Sequence, residues 1–280
     1  MRHFAAYGYL RGMIELMSPH LTNILAIGGY LVAWLYLAYS VKQLSAPRKP
    51  FLFALTAIAL TLHMAGCYRL IMTPDGLALQ LFGVLSLVFC CVNFIVLFSA
   101  LRRPVQNLFL LLFPLTALAI TAALLFKGQR TVLPVTMGLA SHVLLSVLAY
   151  SVLTIATLQA LFLALQNYRL KHKRTLPPPQ LMPPLQTMES LLFEILWAGQ
   201  ILLSASIVSG IIFLDDIFAQ HAVHKTVFTI IAWLIYSTLL WGRYKLGWRG
   251  YTAIRWTLVG FAMLMLAYFG SKLVLEFILN

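Results

Sequence analysis

Two histidines stand inside runs that are otherwise apolar. His63 follows ALTAIALTL, and His142 lies at the head of SHVLLSVLAYSVLTIATLQALFLAL. Ionisable residues in membrane-like segments are costly, so they face a bundle interior and mark functional positions. Beyond His142, the residues Ser146, Tyr150, Thr154 and Thr157 recur at spacings of four, four, four and three. Such residues share one helix face, which is expected to meet other helices or a bound ligand rather than lipid. Two facing imidazoles from separate helices are what a six-coordinate haem iron takes. The sequence thus predicts His142 and His63 as iron ligands, with haem b as the cofactor. The competing reading is that each histidine only hydrogen-bonds a neighbouring helix, an interaction of ~0.6–2 kcal/mol.

The elements that must position these rings are membrane spans. Hydrophobic residues make up 61% of the chain and charged ones 10%, whereas a soluble domain carries about a quarter charged residues. Mean hydropathy is +0.90. An all-α, polytopic membrane protein is expected, with eight transmembrane helices near Thr22–Val41, Pro50–Met72, Gly76–Leu101, Pro104–Phe126, Pro134–Gln166, Met188–Leu214, Lys225–Trp241 and Thr252–Leu279. Residues 1–21 read as an extracytoplasmic segment, with Met1, Met13 and Met17 as alternative starts. Residues 22–280 read as one eight-helix domain. The stretch 167–187 is a basic, proline-rich cytoplasmic loop, with Thr187 expected to cap the sixth span and Glu189 in its first turn. Pro114 is expected to kink the fourth span.

Charge orients the chain. Thirteen of the 20 lysines and arginines fall on the side of the first, third, fifth and seventh loops, and seven on the other. Cytoplasmic loops carry such an excess, which predicts both termini outside. The net charge of +13 then reflects topology and anionic lipid, and no nucleic-acid partner is needed.

On this topology His63 lies nine residues before the outer end of its span, or ~13 Å deep. His142 lies eight residues after Pro134, ~12 Å deep. If Ser141 is instead the helix cap, His142 sits at the outer surface. Met64 and Cys67 could offer sulfur near His63, but these and Cys90 and Cys91 read as packing residues, without a CxxC or a disulfide framework. In the sixth loop, Asp215, Asp216, His221 and His224 lack regular zinc spacing. His224 and Lys225 are expected at the start of the seventh span, facing an anionic group such as a haem propionate, with Arg69, Lys127 and Arg130 at the same outer level. Glu194 and Gln200 read as buried polar residues, and Lys272 with Glu276 as an ion pair. No phosphate-binding glycine loop, nucleophile elbow or HExxH occurs.

In order and spacing, SHVLLSVLAYSVLTIATLQALFLAL, WAGQILLSASIVSGIIF, HKTVFTIIAWLIYSTLLWGRYKLGWRG and LVGFAMLMLAYFGSK resemble the CcsA-type cytochrome c assembly family. MPPLQTMES and the ALTLH run around His63 resemble its YpjD/HemX-like branch. The resemblance implies an inner-membrane protein that handles haem, with cytochrome c maturation proteins or other inner-membrane proteins as partners. It matches His142 to the first outer histidine of the family and Lys225 to the lysine closing the outer loop, and it implies an outer-surface His142. The family's tryptophan-rich loop has no counterpart here, its second outer histidine falls at Asn280, and another falls at Trp241. The resemblance therefore implies a haem-binding or assembly accessory and not a bond-making enzyme. The alternatives are a secondary transporter for another solute or ion and a scaffold subunit of a membrane complex.

Overall fold

The computed structural model describes residues 19–43, 45–74, 76–126, 132–133, 136–172, 183–213 and 223–270. Eight helices in it are long and apolar enough to cross a membrane. They are α1 (Pro19–Lys42), α2 (Lys49–Ile71), α3 (Leu81–Ala100), α4 (Phe109–Leu125), α5 (Met137–Lys171), α6 (Leu185–Phe213), α7 (Val223–Leu246) and α8 (Tyr251–Met265). A 3-10 turn, Gln106–Leu108, leads into α4, and a wide π-type turn, Leu266–Gly270, follows α8.

These segments are helical because apolar backbone in lipid must satisfy its hydrogen bonds within the segment. Their hydroxyls follow the same rule. Thr56, Thr116, Ser151, Thr157 and Thr257 each donate to the carbonyl four residues earlier. Pro50 occupies the first turn of α2, where a missing N–H costs nothing. The helix α4 continues through Pro114. Lys42, Arg169 with Lys171, and Arg243 with Lys245 lie in the last turns of α1, α5 and α7, where cations complement the helix dipole.

Packing divides the helices into two closed rings of four. In the first, α1 packs on α2, α2 on α3, α3 on α4 and α4 back on α1. In the second, α5 packs on α6, α6 on α7, α7 on α8 and α8 back on α5. Contact between α3 and α5 joins the rings, and α5 is the most deeply buried of the eight helices. Close approach within the first ring depends on small residues. A Cβ on Gly66 would stand 2.0 Å from Asn23 Oδ1, and one on Gly29 would stand 2.9 Å from the Ala59 Cβ. The turn into α8 uses Gly247 and Gly250 at φ +66° and +55°, backbone that glycine adopts readily.

Three expectations change. Residues 76–78 do not begin the third span; β1 (Met72–Thr73), β2 (Gly76–Ala78) and β3 (Val132–Leu133) form a small antiparallel sheet in the order β1-β2-β3. Thr187 does not cap α6, because the helix begins at Leu185 and the Pro184 carbonyl accepts from Met188 N. Glu194 is not buried; it is half exposed and pairs with Arg103 at 3.1 Å.

Candidate functional site

The helix α5 starts where Thr136 caps it, the side-chain oxygen accepting from Leu139 N at 3.2 Å. Ser141 is not the cap; its hydroxyl donates to the Gly138 carbonyl inside the helix. His142 therefore sits about one and a half turns into α5, half-buried against α6.

The ring of His142 has a defined tautomer. Nδ1 lies 3.1 Å from the Ser206 carbonyl oxygen and 3.0 Å from Ser209 Oγ. The Ser209 hydroxyl donates to that same carbonyl at 2.8 Å. Both groups are thus placed to accept, and Nδ1 carries the proton. Nε2 keeps its lone pair; among the described residues its hydrogen-bond contact is Ser146 Oγ at 3.5 Å, a distance at which a hydrogen bond is weak. An imidazole whose Nδ1–H is held by a carbonyl, leaving Nε2 open, is the arrangement metal-ligating histidines use. At this end of α5 and α6, Met137 and Phe213 expose apolar surface, Phe213 lying beside Gly138.

The polar line below His142 is satisfied by helix packing. Ser146 Oγ lies 2.7 Å from Ser206 Oγ, and the Tyr150 hydroxyl donates to the Leu264 carbonyl of α8 at 2.7 Å. Thr154 and Thr157 donate to their own helix.

His63 occupies the other ring of helices. It is fully buried, with Nε2 2.9 Å from Ser86 Oγ of α3 and Nδ1 3.4 Å from the Tyr30 hydroxyl of α1. The level also differs. Ser151 Oγ of α5 donates to the Val88 carbonyl of α3 and fixes the register of these two helices. His142 is nine residues above Ser151, while Ser86 is two above Val88, a difference of about 10 Å along the helices. Among the described residues the hydrogen-bond partners of the two rings share no residue, and α3 packs against the helices of both, so the structure does not bring His63 and His142 together.

The remaining expected residues fall as follows. Arg69 ends α2 and Lys225 lies at the start of α7, both half-buried. The backbone of His224 belongs to the first turn of α7, but its side chain lies outside the described residues, as do Lys127, Arg130, the sixth loop and the pair Lys272–Glu276. Gln200 is buried as expected and donates to Ser237 Oγ at 2.7 Å across to α7. A feature not foreseen is a cleft of about 420 Å³ between α6 and α7, lined by Trp197, Gln200, Ser204, Trp233 and Trp241. It lies on the side of α6 turned away from His142, since Ser204 and Ser206 are ~200° apart on the helix. Tryptophans in WAGQ, IIAWL and LLWGR were the available signal.

Across residues 51–279 the sequence matches the family model described as cytochrome C assembly protein, and the chain belongs to that family. Family membership connects it, at that level, with haem-related cytochrome c biogenesis, and it is a multi-pass protein of the inner membrane. It is 32% identical over 259 residues to "Inner membrane protein YpjD" of Escherichia coli strain K12, covering 91% of this chain and 98% of that protein. It is 30% identical over 198 residues to "Uncharacterized 28.8 kDa protein in nifR3-like 5'region" of Azospirillum brasilense, covering 68% of this chain and 72% of that one. No solved structure matches the chain.

Proposed function

We propose that this protein binds haem b in the outer half of the inner membrane and serves as an accessory in cytochrome c assembly, with His142 as the axial ligand. The observation that carries the reading is the His142 ring itself. Its Nδ1 proton is held by Ser206 and Ser209, and its Nε2 lone pair stands at the apolar end of α5 and α6. When bound, haem would supply an iron to take up that lone pair and an apolar surface for the exposed Met137 and Phe213 to cover. Lys225 and Arg69, at the same end of the molecule as His142, supply cations for propionates, with His224 and Arg130 as further candidates by sequence. His63 is not part of this ligand set, since it is fully buried within the other ring of helices. Both termini lie outside in this reading, which the basic last turns of α1, α5 and α7 support. The protein holds and presents haem without itself making a bond.

Absorption spectroscopy of the detergent-solubilised protein titrated with haem tests the reading. A Soret band that saturates and is lost in His142→Ala supports it. The same band in wild type and His142→Ala, or none in either, overturns it. A second reading, carriage of another solute, rests on the α6–α7 cleft. It predicts uptake into proteoliposomes that Gln200→Ala impairs and His142→Ala leaves intact.

A further inference from the structure

The first ring of helices holds a second cluster of ligating side chains that the haem reading does not use. In α2, His63 and Cys67 are four residues apart; in α3, Ser86 and Cys90 are four apart. Each pair therefore occupies one face of its helix, and the two faces meet. The donor atoms of His63, Cys67 and Cys90 all lie within 4.8 Å of one another. Ser86 Oγ stands among them, 2.9 Å from His63 Nε2 and 3.6 Å from Cys67 Sγ. His63 and Ser86 are fully buried, and Cys67 and Cys90 are 3% and 4% exposed. Leu60, Leu87 and Leu97 wall the cluster.

The geometry points to a binding site for a thiophilic d10 metal ion, Zn(II) or Cu(I), held by His63 Nε2, Cys67 Sγ and Cys90 Sγ between α2 and α3. Two sulfurs and an imidazole select such ions over magnesium or calcium, which take oxygen ligands. Distances agree. Sulfurs on a tetrahedral zinc are roughly 3.8 Å apart, so the donors need close by no more than about an ångström. The second ring nitrogen is also provided for. With an ion on Nε2, Nδ1 carries the proton and donates to the Tyr30 oxygen, the outer partner that orients a ligating histidine. Ser86 then turns from the imidazole and is free to approach the metal or to donate to a thiolate. Charge balances in this low-dielectric setting. Zn(II) with two thiolates and a neutral imidazole carries no net charge, and Cu(I) reaches the same state with one thiolate and one thiol. The ion would cross-link the two helices. The site is independent of His142, which belongs to the other ring of helices.

The test is elemental analysis of the full-length protein, expressed in medium supplemented with zinc or with copper and purified in detergent without chelator. Wild type is expected to carry about one ion per chain, as a three-donor site binding a single ion requires. Cys67→Ser and Cys90→Ser are expected to lose at least nine-tenths of it, while Cys91→Ser and His142→Ala keep it. Ser86→Ala is expected to weaken retention against a competing chelator by about tenfold. X-ray absorption of the loaded wild type, which needs no variant to fold, should report two sulfurs and one nitrogen around the ion. Loading with either ion supports the site and identifies its occupant. Metal-free wild type from both media, equal loading in the cysteine variants, an oxygen-only coordination shell, or a Cys67–Cys90 disulfide in protein purified with thiols blocked at lysis would overturn it.

Discussion

The Nδ1 atom of His142 lies 3.1 Å from the carbonyl oxygen of Ser206, one helix away. A carbonyl only accepts, so this contact decides which ring nitrogen holds the proton and which is left to bind. Ser209 supports the same choice from one turn along α6, accepting from Nδ1 while giving its own proton to the Ser206 carbonyl. Ser209→Ala should therefore leave haem binding in place but weaken it by roughly tenfold, the effect of losing an outer partner of a ligating histidine. His142→Ala should abolish it. Titration followed at the Soret band separates the two, and equal affinity in wild type and Ser209→Ala would show that orientation of the ring plays no part.

Orientation in the membrane is open to direct measurement. The three native cysteines are buried or half-buried, so a single introduced cysteine can be read over a low background. Thr136→Cys, at the exposed start of α5, should react with an impermeant maleimide in intact spheroplasts. Lys171→Cys, exposed at the other end of the same helix, should react only after lysis. The reverse pattern would place both termini inside and move His142 to the cytoplasmic half.

The eight spans were legible because a bilayer imposes a length and a composition on each of them. So was the inward turn of the polar face of α5, since its hydroxyls needed other helices or a ligand to meet. The pairing of His63 with His142 was not. Residue counts from span ends put both at one depth, but depth within a bundle is set by register between helices, here by Ser151 on Val88. Likewise, the sequence showed His63–Cys67 and Ser86–Cys90 at helical spacing without showing that the two faces meet. Glu194 looked buried because its span is apolar. The rotation of α6, which buries Leu191, Leu192 and Leu196, turns it outward instead. The three-residue strand Gly76–Ala78 pairs on one side with the neighbouring Met72–Thr73 and on the other with Val132–Leu133, far along the chain, and it is the second pairing that no local pattern announces.

Small residues set the spacing of α1 and α2, and enlarging one should separate them. The Cβ of Gly66→Ala would stand 2.0 Å from Asn23 Oδ1, inside a fully buried contact. The Asn23 Cγ and Nδ2 would stand at 2.8 and 3.1 Å as well, so the whole buried amide has to shift. Overpacking of this kind costs about 1–3 kcal/mol. A lower midpoint in a detergent-based thermal unfolding assay is expected for Gly66→Ala. Gly28→Ala, where an added Cβ meets nothing within 4 Å, should leave the midpoint unchanged. If both behave alike, close packing of these two helices does not limit stability.

At the opposite end of the molecule from His142, Glu189 holds α6 to α7 and to the turn that follows. Its Oε1 accepts from Arg243 at 2.8 Å and from Arg249 at 2.9 Å, and its side chain is only 12% exposed. Arg243 also lies 4.6 Å above the Phe193 ring and donates to the Trp248 carbonyl. Removing the carboxylate leaves Arg243 partly buried and without its counter-charge, and hydrogen bonds to charged groups are worth about 1.5–3 kcal/mol. Glu189→Gln should therefore destabilise the protein by about 2 kcal/mol. Arg249→Gln, whose side chain is 60% exposed, should cost no more than about 1 kcal/mol. Thermal midpoints of the two single variants and of the double variant settle the matter. If Arg249→Gln costs as much as Glu189→Gln, the bridge to Arg243 is not what ties these elements together.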